Sequence, residues 1–218
     1  MLKLRQSIPG HQGIRNIIFD FGGVICDIDI SKTEKKFTEF GEAVQSSAEQ
    51  DSPAFFSTLV KGLELGKVDP ATFKQIIQQH YVLPPTIKAI EDAWNALLGE
   101  IPGHRIRLLE QLRNSYRIFL LSNTNVIHYE KYLRDFRVKF GYENFEALFE
   151  KVYFSHLIGL SKPGKEIFEH VATESHLLPA ETLFIDDMAE NVAGAVSAGF
   201  TGYHLTEGTD ITDLFVLV

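Results

Sequence analysis

The side chains that could do chemistry in this sequence sit at the ends of short apolar runs. Asp20 closes Ile17-Ile18-Phe19, Ser122 closes Leu120-Leu121, and the Asp186-Asp187 pair closes Phe184-Ile185. A carboxylate such as Asp20 can attack phosphorus, giving an aspartyl-phosphate that water then cleaves. That attack brings one anion toward another, so a cation must lie between them. Asp186 and Asp187 are hard oxygen ligands suited to Mg²⁺. Ser122 and the main-chain amides after it, beginning at Asn123, can donate hydrogen bonds to phosphoryl oxygens. Lys162 adds a positive point charge where negative charge builds, with Lys165 as its nearby competitor. Each residue also has a plainer reading: Ser122 or the Asp186-Asp187 pair as a helix cap, Lys162 as a solvated lysine.

The elements around these residues explain how they could meet. Apolar runs containing β-branched residues read as buried parallel strands, and open α/β sheets bind ligands beyond the carboxyl ends of such strands. Gly22 and Gly23, just past Asp20, allow a sharp turn and a close backbone approach to a bound group. The alternating stretch Cys26-Asp27-Ile28-Asp29-Ile30 suits a short extended flap, with Asp27 and Asp29 either facing water or lying near the site. Four helical patterns then follow without an intervening strand. Ser31 can cap the first, with Glu34 three residues on, and the others run over residues 53–63, 70–81 and 85–98.

From residue 104 onward strands and helices alternate. Helices are expected over 104–114, 126–136, 143–149, 162–176 and 189–198, and strands over 117–121, 152–154 and 182–185. This predicts an α/β fold with a Rossmann-like parallel sheet covered by helices on both faces. Residues 14–30 and 103–218 form the expected core, 31–102 a helical insertion, and 1–13 a loose leader. Asn191 and Gly194-Ala195 are expected to support helix packing. The apolar end, residues 214–218, must be buried in the core or in a partner.

Taken in order, Asp20 with its glycines, Leu120-Leu121-Ser122-Asn123-Thr124-Asn125, Lys162-Pro163 and Phe184-Ile185-Asp186-Asp187 resemble the four signature motifs of the haloacid dehalogenase-like hydrolase superfamily. The resemblance implies that Asp20 is the nucleophile. It also implies that Mg²⁺ contacts the Asp20 carboxylate, the Gly22 carbonyl and Asp186, with Asp187 acting directly or through water. It favours Lys162 over Lys165, and makes the insertion a C1-type cap. The chain departs from the commoner phosphatases of the superfamily at Gly22, where they carry an aspartate serving as general acid and base, a contribution of about 10² to 10⁴ in rate. The first two motifs look like the bacterial glucose-1-phosphate phosphatase branch. The implied function is a Mg²⁺-dependent phosphatase of small phosphorylated metabolites, sugar phosphates included. The alternatives are a module that binds a phosphorylated ligand or a protein with little turnover, and a 2-haloacid dehalogenase, against which the acidic pair argues.

The bulk properties agree with such a protein. A chain of 218 residues holds one α/β domain with a small insert, and a net charge of -8 disfavours nucleic acid as a partner. No run is long and apolar enough to span a bilayer, no secretory signal is evident, and the single Cys26 fits a reducing compartment, so a cytoplasmic location is expected. Cys26 reads as a small buried side chain rather than a nucleophile, and no histidine spacing suggests a metal site. Trp94 and the phenylalanines of the insertion read as core first and substrate wall second. Whether the chain is a monomer or a homodimer is not legible.

Overall fold

A computed structural model describes residues 2–8, 10–42 and 53–218 of the chain. At its centre is a five-stranded, wholly parallel sheet of β2 (Asn16–Phe19), β3 (Arg117–Ser122), β4 (Lys151–Phe154), β5 (Thr182–Asp186) and β6 (Thr201–His204), in the order β4-β3-β2-β5-β6. The expected strands are all present. β2 lies in the middle, with Phe19 opposite Leu120 on one side and Ile185 on the other.

Successive residues of a strand face opposite ways, so β2 feeds two cores. Ile17 and Phe19 join one apolar cluster with α5 (Gly103–Leu112) and α6 (Val126–Phe140), through Leu109, Leu112, Leu133 and Phe136. Ile18 joins another with α8 (Lys165–Glu174) and α9 (Ala189–Ser197), through Ile167, Phe168, Val171 and Ala195. Each fully buried side chain of this kind stabilises the fold by about 1.5–3 kcal/mol.

Between β2 and β3 the chain forms α1 (Ile30–Thr38), α2 (Pro53–Glu64), α3 (Pro70–Gln79) and α4 (Ile87–Trp94). These helices share a third cluster in which Leu59, Leu63, Phe73, Ile77, Ile90 and Trp94 pack together, joined by Ile127 of α6. Asp69 caps α3 through the Ala71 and Thr72 amides, and Thr86 caps α4 through Ala89. α1 starts one residue earlier than its expected cap: Asp29 is the N-cap, and the Ser31 hydroxyl donates to the Asp29 carboxylate instead of capping the helix.

Several other boundaries differ from expectation. The helix expected over 143–149 is one 3-10 turn, Phe145–Ala147, and the one expected over 85–98 gives way to a 3-10 turn at Asn95–Leu97. Lys162 and Pro163 do not open a helix but lie in a loop before α8, since Pro163 and Gly164 are poor interior helix formers. Between β4 and that loop is only the short α7 (Ser155–Ile158). The leader is not loose: β1 (Leu2–Leu4) pairs antiparallel with β7 (Phe215–Leu217), and Leu4 and Ile8 are buried. Met1 and Pro9 lie outside the described residues. The apolar end divides, with Leu214 and Phe215 buried and Leu217 and Val218 exposed.

Candidate active site

The carboxyl ends of the three central strands bring the sequence-selected residues together. Asp20 leaves β2, its amide donating to the Ile185 carbonyl at 2.9 Å, while Ser122 and Asp186 end the flanking strands β3 and β5. Between the carboxylates lies Lys162. Its Nζ is 2.6 Å from Asp20 Oδ1 and 2.6 Å from Asp186 Oδ2, and all three residues are buried. Lys165 points elsewhere and pairs with Glu169 along its own helix.

Two asparagines hold this arrangement, and neither was singled out for that role in the sequence. The Asn123 side chain donates to the Lys162 carbonyl at 2.9 Å and accepts from the Lys162 amide at 3.0 Å. The Asn123 side chain thus positions the Lys162 backbone, a role separate from that expected of its main-chain amide. Asn191, expected only to support packing, donates to both oxygens of Asp186 at 3.0 and 3.1 Å, and the Met188 amide adds a third bond at 2.8 Å. The available signal was Asn191's place in the first turn of the helix that follows the acidic pair. Gly194 does serve packing: a Cβ there would lie 2.3 Å from the Pro163 carbonyl oxygen, so the glycine lets α9 rest against the Lys162 loop.

Gly22 and Gly23 form the turn after Asp20, with the Gly23 amide donating to the Cys26 carbonyl and the Cys26 amide to Phe21. Gly23 has a φ of 73°, and a Cβ there would stand 2.1 Å from Asp187 Oδ2. Asp187 thus leans over the turn. Carboxylate oxygens of Asp20, Asp186 and Asp187 lie within 4.8 Å of one another, the only such cluster of metal-ligating side chains among the described residues. The Lys162 ammonium offsets one of these charges, and a hard divalent cation fits the remaining donor set. Ser122, the last residue of β3, is buried at the same edge of the sheet.

The electrostatics follow from burial. Desolvation, with the Asp186 charge beside it, raises Asp20 to about 7 against the pull of Lys162. Desolvation and the neighbouring Asp186 also raise Asp187. Burial pulls Lys162 down, but the charges of Asp20 and Asp186 more than offset this and keep it protonated. Cys26 is inert by the same logic, since burial and the Asp27 charge push its thiol up to about 12. Asp27 is outside the cluster and pairs with Arg105 at 2.8 Å, while Asp29 stays with Ser31 and Lys32.

The chain is similar to known proteins over most of its length. The haloacid dehalogenase-like hydrolase profile matches residues 14–199. The chain is 32% identical over 200 residues to a D-ribitol-5-phosphate phosphatase of Bacteroides thetaiotaomicron, covering 90% of this chain and 94% of that protein. It is 27% identical over 194 residues to the sesquiterpene phosphatase AstK of Aspergillus oryzae, covering 87% and 89%. Among solved structures, an HAD family enzyme of B. thetaiotaomicron in complex with magnesium and inorganic phosphate superimposes with a TM-score of 0.79 at 32% identity, over 92% of this chain and 98% of that one. Among the described residues, no helix is long and apolar enough to cross a membrane.

Proposed function

The chain belongs to the haloacid dehalogenase-like hydrolases, and on that premise we propose that it is a Mg²⁺-dependent phosphatase of small phosphorylated metabolites, sugar phosphates among them, acting through an aspartyl-phosphate on Asp20. The observation that carries the reading is the buried convergence of Asp20, Lys162 and Asp186, with Asp187 and Ser122 at the same strand ends. Named relatives that are phosphatases support it, and so does the related structure holding magnesium and phosphate.

Asp20, the Gly22 carbonyl, Asp186 and Asp187 would hold the ion. Bound there, Mg²⁺ would neutralise phosphoryl charge and lower the repulsion between phosphate and carboxylate. Asp20 attacks phosphorus and the substrate alkoxide departs; water then cleaves the acyl phosphate and restores the carboxylate. Lys162 fixes the orientation of the Asp20 carboxylate and faces the charge that develops on the phosphoryl oxygens. Ser122 donates a hydrogen bond to one of those oxygens. Residues 14–30 and 103–218 serve as the catalytic core, and 31–102 as a cap that closes over the substrate and excludes water while it binds. The buried lone Cys26 favours work in the cytoplasm.

Purified protein with Mg²⁺ should release phosphate from acetyl phosphate or an activated aryl phosphate, and chelation should stop it. Asp20→Asn should lower the rate by more than about 10³-fold while the thermal unfolding transition persists. Sustained turnover in that variant would remove Asp20 as the nucleophile.

A further inference from the structure

The helical insertion contains a cavity of about 860 Å³, at the upper end of the roughly 300–1,000 Å³ found for ligand pockets. Its walls are mainly apolar and aromatic, with Phe37, Leu59, Val60, Ile76, Trp94 and Leu97 among them. A cavity this large is more than a phosphate with a short polyol needs. Its chemistry decides what can fill it.

Several polar atoms of the wall residues are engaged within the protein. The Thr33 hydroxyl donates to the Ala93 carbonyl and accepts from the Leu97 amide, and the Tyr81 hydroxyl donates to the Phe37 carbonyl. Asn125 Oδ1 accepts from the Ile127 and His128 amides and from the Trp94 indole, and His128 Nδ1 is 2.9 Å from Asn95 Oδ1. Glu64 pairs with Lys61, and Glu34 and Gln79 are exposed residues. Hydroxyls of a polyol placed against these walls would lose their water and gain few partners, at a cost for each unpaired group. Methylene groups would lose nothing and gain burial.

One cavity residue ties it to the loop after Ser122. Asn125 is three residues beyond Ser122, so the two are at most about 11 Å apart along the chain. On the opposite side, Ile28 bridges to Leu98, and its Cγ1 is 3.1 Å from where a Gly22 Cβ would stand. Ile28 and Ile30 are both exposed, and Ile30 lines the cavity. Ile28 thus places an apolar side chain beside the turn after Asp20, and Ile30 places one on the cavity wall.

We propose that this cavity receives the organic part of the substrate and that this part is an apolar chain, making the substrate a phosphate monoester of a hydrophobic alcohol. The proposal rests on the phosphatase reading above and narrows its substrate class.

Alkylphosphonates, which cannot be hydrolysed, test it without requiring turnover. With Mg²⁺ present, calorimetric affinity should rise from methyl- through butyl- to octylphosphonate by up to about fourfold per buried methylene, with an increasingly negative heat-capacity change. Val60→Trp, which fills the cavity, and Phe56→Asp, which charges its wall, should each flatten that rise, read as the octylphosphonate-to-methylphosphonate affinity ratio within each variant. Thermal unfolding confirms that each variant is folded. An affinity independent of chain length would overturn the proposal, as would a rise that survives both substitutions. Loss of acetyl phosphate turnover in the unmodified protein would instead count against the phosphatase reading, which the phosphonate series does not depend on.

Discussion

At the scale of single residues, the carboxylate cluster depends on side chains outside it. Asn191 supplies two of the hydrogen bonds that orient Asp186. Partners of this kind typically change metal affinity by about 10–100-fold when removed. Asn191→Ala should therefore raise the Mg²⁺ concentration for half-maximal activity by that factor while changing the saturated rate much less, as read by Mg²⁺ titration. An unchanged titration midpoint would show that the Met188 amide and Lys162 suffice. The clustered carboxylates Asp20, Asp186 and Asp187 were legible in the sequence because each lies at or just past the end of an apolar strand, and strand ends can be counted. The asparagines were not. Asn123 finds Lys162 across 39 residues, and no local period reports a contact between two loops.

At the scale of elements, the turn after β2 is as important as the strand. Gly23 combines a left-handed backbone with the approach of Asp187, so any side chain is both strained and in collision. Left-handed backbone costs an L-residue roughly 1–2 kcal/mol before the clash is counted. Gly23→Ala should lower the melting temperature and weaken Mg²⁺ binding together, because the displaced group is a candidate ligand. Calorimetry with and without the ion separates the two effects. The glycine pair was visible in the sequence, but which glycine was irreplaceable was not, since that follows from a carboxylate more than 160 residues away. Helix ends show a similar limit. α6 runs on to Phe140, past its expected end at Phe136, because Phe140 falls one turn further on and packs against Phe136 and the core cluster. Gly141 then stops it with a φ of 76°.

At the scale of the whole molecule, the insertion and the core are joined by buried polar and aromatic contacts rather than by apolar packing alone. His128 of α6 stacks on Trp94 at 5.2 Å and meets Asn95, while the Trp94 indole donates to Asn125. Burial pulls His128 down to about 3, so the folded protein keeps the ring neutral where an unfolded chain would protonate it. The stabilisation is complete above about pH 6.5 and declines as pH falls toward 3, because the unfolded state binds the extra proton over that interval. Urea unfolding measured between pH 7 and pH 4 should show a slope that is shallower in His128→Gln. Equal slopes would mean that the ring titrates normally. The parallel sheet and the helical insert were legible from alternation and length, whereas this junction was not, because a lone histidine on a helix gives no sign of the tryptophan above it.

The pairing of Leu2–Leu4 with Phe215–Leu217 sets the two ends of the described chain side by side, Leu2 against Leu217. A short flexible linker could join them without disturbing the central sheet, and new ends could then be opened in an exposed loop. The order in which the strands are synthesised would change, while the carboxylates would still be delivered to the same edge.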